Sequence, residues 1–183
     1  MAKLTTALIA GIALQTVALH ASDAIPARLI PLPADFALHY TCAAIDAQLG
    51  WQSIDTRHLS KPAVYALGTA HFPPSTLNSV HVDYKWSVDG ARYDRVGPDG
   101  HTGADAAALK PFERYKFFAD LPFGALLSRS ANLKLAHIRE QRAAAGYPTH
   151  SNQVDFRIND TGLGDNVGGM VVCITDLKYF NAQ

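Results

Sequence analysis

A strict alternation of polar and apolar residues constrains the fold of this chain more than any other feature. In residues 79–88 every second side chain is apolar: Val80, Val82, Tyr84 and Trp86. Such a period of two predicts a β-strand with one buried face. Similar short β-prone runs, separated by turn residues, recur at residues 37–45, 63–72, 123–127, 133–138, 154–158 and 170–174. Six or seven short strands predict an all-β sandwich or barrel.

One long segment between the central strands has a different pattern. Residues 104–119 are rich in alanine, and aromatic residues follow at helical spacing, so we expect a helical insertion that Pro111 breaks or restarts. A second helix is predicted over His137–Ala145, because helix formers there end at Gly146. The expected fold class is therefore all-β, a jelly-roll-like β-sandwich with a long helical insertion.

Length and charge narrow the class of protein. At 183 residues the chain has room for one domain, since domains usually hold about 100–200 residues. Sixteen Lys and Arg balance sixteen Asp and Glu, which gives zero formal charge with the eight His neutral. A chain without net positive charge lacks the electrostatic field that holds phosphate backbones. Nucleic acid is therefore not an expected partner.

The N-terminus has the pattern of an export signal. A basic start at Lys3 is followed by an apolar run to Leu19 and then by small residues, which is typical of a secretory signal peptide over residues 1–21, cleaved after Ala21 or Ala24. Residues 22–36 are a proline-rich, extended lead-in, and residues 37–183 are expected to form one domain. With no second apolar stretch, we expect no transmembrane segment and a periplasmic or secreted location.

The chain has two cysteines, Cys42 and Cys173, in β-prone runs near the two ends of the expected domain. Disulfides persist in exported proteins, and the first and last strands of a sandwich are often neighbours. We expect a bond between them, for which chain-entropy models give about 4–5 kcal/mol. Two buried free thiols are the alternative.

The strongest chemical signal is the glycine-rich loop at residues 159–169. Asp160, Asp165 and Asn166 supply oxygen donors, and the glycines allow a tight backbone whose carbonyls can join them. Calcium prefers six to eight such oxygens. The flanking strands and the missing glutamate exclude an EF-hand. An ordinary Gly/Asn/Asp hairpin turn is the alternative interpretation.

Several motifs in order resemble one family. They are Trp86, the turn at residues 97–100, the run at 123–127, and the segment from 156 through 165–168 into the closing strand at 169–174. Together they resemble the calcium-dependent galactose-binding lectins of the PA-IL type, which are small jelly-roll β-sandwiches. The resemblance extends over residues 80–175 and is looser over 37–79.

The resemblance implies a set of calcium ligands. In that family, one calcium ion held by the final loop coordinates two sugar hydroxyls. Carried over by position, Asp160, Asp165 and Asn166 are side-chain ligands. Gly162 and Asp89 would contribute backbone carbonyls. The loop between Asp160 and Asp165 is two residues shorter here than in the family, which weakens the positional match of Gly162.

The resemblance also implies a sugar site beside the metal. Thr161 and His101 would contact the sugar together with Asp160 and Asn166. The family's glutamine after the histidine is missing, and an insertion at residues 106–122 follows instead. Its aromatic residues form either a platform for a saccharide or partner, or part of the core. They are Phe112, Tyr115, Phe117 and Phe118.

These observations favour a binding protein. The chain lacks the nucleophile elbow, the zinc-protease motif and the phosphate-binding loop, so we do not expect an enzyme. The first hypothesis is an exported, calcium-dependent carbohydrate-binding module with a galactose-type ligand. The alternative is a structural or interaction domain of the same fold with a degenerate sugar site, and a secreted hydrolase ranks third. Assembly into a homo-oligomer would add avidity.

Overall fold

The longer strands, whose side chains alternate between two faces, form two sheets that face each other. The computed structural model describes residues 23–32, 34–59, 62–67, 85–130, 135–138, 147–148 and 152–176. The strands are β1 (Ile25–Pro26), β2 (Arg28–Leu29), β3 (Tyr40–Asp46), β4 (Gln52–Asp55), β5 (Pro62–Leu67), β6 (Trp86–Ser87), β7 (Leu126–Ser130), β8 (Leu135–His137), β9 (Tyr147–Pro148), β10 (Gln153–Ile158) and β11 (Val167–Asp176).

The first sheet has the strand order β1-β4-β10-β7-β8, and the second has β2-β3-β11-β5-β9. All pairs are antiparallel except β1 with β4. The short β6 pairs with the start of β11, where Gly168 has a φ of 85° and a Cβ would collide with the Lys85 carbonyl oxygen. Only glycine satisfies both conditions there. The predicted all-β sandwich is confirmed.

The core lies between the sheets. Val154, Phe156 and Ile158 point inward from β10, which confirms the face predicted from their alternation. Met170, Val172 and Ile174 of β11 meet them from the second sheet. Trp86 is fully buried at one end of this core, and its indole nitrogen donates a hydrogen bond to the Gly124 carbonyl at 2.6 Å.

The predicted disulfide is confirmed. Cys42 of β3 lies directly opposite Cys173 of β11, and the two are bonded across a sequence separation of 131 residues. They pack with Ile30 and Val171 in a small apolar cluster apart from the main core. The bond therefore connects the central strand of the second sheet, β11, to its neighbour β3.

The proline-rich lead-in is extended, and it pairs with both sheets. Its β1 joins the edge strand β4 of the first sheet, and its β2 joins β3 of the second. A short helix, α1 (Ala34–Ala37), connects it to β3. Two neighbouring sheet edges are thus covered by one continuous segment.

The predicted insertion is present, but its helix is shorter than predicted. Helix α2 (Gly103–Leu109) is followed by a 3₁₀ helix (Lys110–Tyr115), because Pro111 has no N–H to continue the α-helical ladder. The helix predicted over His137–Ala145 lies outside the described residues except at its start, where His137 ends β8. The alternating run at 79–88 is described only from residue 85.

Among the helices that the structure describes, none is long and apolar enough to cross a membrane.

Candidate functional site

The glycine-rich loop predicted as a metal site connects the two sheets. It leaves β10 of the first sheet at Ile158 and enters β11 of the second at Val167. A cavity of about 290 Å³ opens beside it. Three carboxylate residues line this cavity: Asp160 and Asp165 from the loop, and Asp89 from the turn after β6. The fold thus gathers acidic residues that are more than seventy positions apart in sequence.

Asp160 is a buried carboxylate whose hydrogen bonds do not offset the cost of burying its charge. Its side chain is 4% exposed, and its Oδ1 accepts a hydrogen bond from the Gly162 amide at 2.9 Å. Burial raises the pKa of Asp160 to about 6, and the nearby charge of Asp165 adds to the rise, whereas hydrogen bonds with the Gly162 and Thr161 amides and with the Asn166 side chain oppose it. An acid held in this way gains free energy when a cation neutralises it.

Asn166, at the opposite end of the loop from Asp160, has a side chain that approaches the Asp160 carboxylate but does not line the cavity. The residue is fully buried, and its Nδ2 donates to the Ala47 carbonyl at 2.9 Å while its own carbonyl accepts from Gln48. Its Oδ1 is buried and accepts no hydrogen bond from any residue in the described part of the chain. A buried amide oxygen without a donor costs about 1–3 kcal/mol, which a bound ion or hydroxyl would offset.

Comparison with known proteins adds no relative. No family model, curated protein or solved structure matches the chain. The resemblance to the lectins therefore stays a prediction, supported by the quoted motifs.

The two predicted backbone ligands differ in their surroundings. The Asp89 carbonyl accepts hydrogen bonds from the Tyr93 amide at 3.0 Å, the Arg92 amide at 3.2 Å and the Ser87 hydroxyl at 3.1 Å. A metal would have to compete with these three donors for that oxygen. Gly162 lines the cavity, and its amide holds the Asp160 carboxylate. Its carbonyl role remains a prediction.

The two predicted sugar contacts do not line the cavity at Asp160. Thr161 is exposed, and both its amide and its hydroxyl donate to the Tyr115 carbonyl, at 2.7 and 2.8 Å. His101 is buried, with its Nδ1 3.2 Å from Asp105 and its pKa lowered by burial. It lines a separate cavity of about 300 Å³ rather than the one at Asp160. Thr161 thus connects the loop to the insertion, and the His101 ring packs against Tyr93 of the cavity wall, with 5.7 Å between the ring centroids. Their contacts with a sugar stay predictions.

Four aromatic side chains line the cavity, two of them from the insertion, and Arg92 lines it beside its ion-pair partner Asp89 at 3.4 Å. Phe112 and Tyr115 line the cavity and are 38% and 41% exposed, so they extend from its wall to the surface. Tyr93 and Phe123 complete the wall. The sequence predicted Phe112 and Tyr115 as part of an aromatic platform or of the core. It gave no indication that Tyr93 would line the cavity, since the only local signal is its position four residues after Asp89.

The side-chain inventory limits how a metal could be held. Within the described residues, no group of three or more His, Cys, Asp or Glu side chains is arranged to hold an ion. An ion at Asp160 would therefore need the amide oxygen of Asn166 and backbone carbonyls as well. Calcium accepts such mixed oxygen sets, whereas zinc prefers His and Cys.

Proposed function

We propose that this protein is an exported, calcium-dependent carbohydrate-binding module whose sugar site is the cavity at Asp160. The single observation that carries the proposal is that Asp160 is a carboxylate whose pKa burial raises despite its hydrogen bonds, and that the Asn166 side chain beside it has a buried oxygen without a donor among the described residues. Both belong to one loop, and both gain from a hard cation.

The residues for such an ion are Asp160, Asp165 and Asn166, with backbone carbonyls completing the shell. When bound, calcium supplies positive charge and open coordination positions for vicinal hydroxyls. Calcium binds oxygen ligands in a flexible geometry, and the loop provides such oxygens.

The aromatic wall supports a sugar as the ligand. Sugar rings present C–H faces that pack against aromatic side chains, and Phe112 and Tyr115 are available at the cavity mouth. Arg114 lies with its guanidinium carbon 4.8 Å from the centroid of the Tyr115 ring and donates a hydrogen bond to its hydroxyl at 3.1 Å, so the ring is held in place. At about 290 Å³, the cavity is at the small end of ligand sites, which suits one sugar unit.

The disulfide between Cys42 and Cys173 supports the exported location, since such bonds persist outside the reducing cytosol. The predicted signal peptide at residues 1–21 lies outside the described residues.

Thermal unfolding tests the metal site first. The protein is unfolded in chelator, in millimolar calcium, and in magnesium or choline at the same concentration. A micromolar site at a thousandfold excess of calcium adds about 4 kcal/mol, a shift of several degrees. Choline is included because a cavity with carboxylates and aromatic rings also suits an organic cation. A shift with choline and none with calcium contradicts the proposal.

Asp160→Asn and Asp94→Asn form a matched pair for this experiment. Asp94 is exposed and does not line the cavity, so its variant should keep the calcium shift that Asp160→Asn loses. Retention on immobilised galactose, mannose and N-acetylglucosamine then tests the sugar. Retention should require calcium and be reversed by free sugar. Calcium binding without retention on any matrix supports the interaction-domain alternative instead.

A further inference from the structure

Outside the cavity, Arg157 is a charged side chain that the described part of the chain buries almost completely. It is 7% exposed, and burial lowers the pKa of its guanidinium. Its Nε donates to the Ile158 carbonyl at 3.1 Å, and its Nη2 donates to the Asp160 carbonyl at 2.6 Å. Both bonds are to the backbone at the point where β10 becomes the glycine-rich loop.

Two aromatic rings hold the guanidinium of Arg157. Its central carbon lies 4.0 Å from the centroid of Phe117 and 5.6 Å from that of Trp51, and the two rings meet edge to face at 5.5 Å. Trp51 is only 4% exposed and precedes β4, whereas Phe117 belongs to the insertion. Two distant segments and the adjoining loop therefore converge on this one side chain.

We infer that Arg157 is a positioning residue for the candidate site, fixing the Asp160 backbone so that the carboxylate stays directed at the cavity. A planar guanidinium can stack on rings and donate two directed hydrogen bonds at once, which an ammonium cannot. This inference rests on the proposed function for its calcium readout, but the ordering of the loop can be measured without calcium.

A second contact strengthens the link between the insertion and the loop. Asn159, the residue before Asp160, accepts from the Phe118 amide at 2.7 Å and donates to the carbonyls of Phe118, Leu121 and Pro122. Asn159 thus binds the segment that carries Phe117. Because the loop and the insertion hold one another, loss of the Arg157 contacts should loosen both.

Arg129 provides a matched control. Its guanidinium carbon lies 4.3 Å from the Trp51 centroid, on the same side of the first sheet, and it pairs with Asp155 and Asp23. It has no hydrogen bond to the loop among the described residues. Arg157→Met and Arg129→Met therefore both remove a guanidinium near Trp51, but only the first also removes the contact with Phe117 and the donors to the Asp160 backbone. Because Arg129→Met breaks the buried pair with Asp155, the two variants are compared under conditions in which both remain folded.

Two measurements on the variants test the inference. In chelator, amide hydrogen exchange of residues 161 and 162 should rise at least about tenfold in Arg157→Met and change less than about twofold in Arg129→Met. Calcium affinity, titrated by calorimetry, should fall about tenfold in Arg157→Met only, the size expected for a lost charge-assisted hydrogen bond. Arg157→Lys should recover part of both effects.

The outcomes separate this inference from the proposed function. If the unmodified protein does not bind calcium, the proposed function fails, and the exchange data still decide the role of Arg157. If Arg157→Met and Arg129→Met give equal loop exchange, the positioning role is overturned even when calcium binds. If Arg157→Met unfolds the chain, Arg157→Lys carries both measurements, and loop exchange and affinity equal to those of the unmodified protein overturn the inference.

Discussion

Two buried aspartates on either side of Arg157 have opposite surroundings. Asp155, on β10, is 5% exposed and accepts hydrogen bonds from Ser53 at 2.6 Å, Gln153 at 2.8 Å and Arg129 at 2.9 Å. Asp160, two residues after β10 ends, is 4% exposed. No cationic side chain in the described ranges donates to its carboxylate, and the charge of Asp165 lies nearby.

The difference separates Asp155, here called the structural acid, from Asp160, here called the functional acid because the proposed site depends on it. A buried carboxylate with a complete set of donors and a cation contributes to folding, whereas one with a raised pKa stores free energy that a ligand can release. Burial alone does not distinguish them, because both residues are almost equally enclosed. Their partners do.

Removing the structural acid should have the largest effect. Asp155→Ala leaves Arg129 with a 14% exposed side chain and without its buried partner, so we expect a loss of about 3–5 kcal/mol in the free energy of unfolding. Denaturant unfolding in chelator measures it. Asp55→Ala, which breaks an exposed pair with Arg57, is the control and should cost less than about 1 kcal/mol. Equal losses would mean that the Asp155 network is no more than a surface pair.

Removing the functional acid should change stability in the opposite direction. Asp160→Asn eliminates a charge that burial opposes, so the calcium-free protein at pH 8 should gain up to about 3 kcal/mol, the equivalent of the pKa rise to about 6. The same variant should lose the calcium-induced shift in Tm. A less stable variant at pH 8 would show that the Asp160 charge is compensated after all.

The pH dependence follows from the same raised pKa. In the folded state Asp160 keeps its proton up to about pH 6, whereas in the unfolded chain it releases it near 3.9. Its contribution to stability is therefore fully present below about pH 4 and is lost as the pH rises through 6. The difference in unfolding free energy between the unmodified protein and Asp160→Asn, measured in chelator from pH 4 to 8, isolates this contribution. A difference that does not change with pH contradicts it.

The smallest effect is expected at Asp165. It is exposed and acts on Asp160 by charge repulsion, so Asp165→Asn should lower the pKa of Asp160 modestly and stabilise the calcium-free protein by less than about 1 kcal/mol. Carboxyl titration by NMR would detect the change. An unchanged Asp160 titration would leave burial as the sole cause of the raised pKa.

The sequence predicted those parts of the site that lie close together along the chain. Asp160, Asp165 and Asn166 share one short loop, and glycine and oxygen-donor chemistry is visible there without a structure. Thr161 and His101 were assigned from the resemblance. The structure places Thr161 against the insertion and His101 in another cavity.

The sequence by itself determined the sandwich, the insertion and the pairing of Cys42 with Cys173, because alternation, turn residues and a single cysteine pair are local or countable properties. Only the tertiary structure decided which acid is compensated. Asp155 and Asp160 are the same residue type on one short stretch of chain. They differ because Arg129 and Ser53 donate to the Asp155 carboxylate, whereas Arg157, held against the ring of Phe117, donates to the backbone of Asp160. Partners that arrive from distant strands set the local electrostatics, and sequence patterns do not record them.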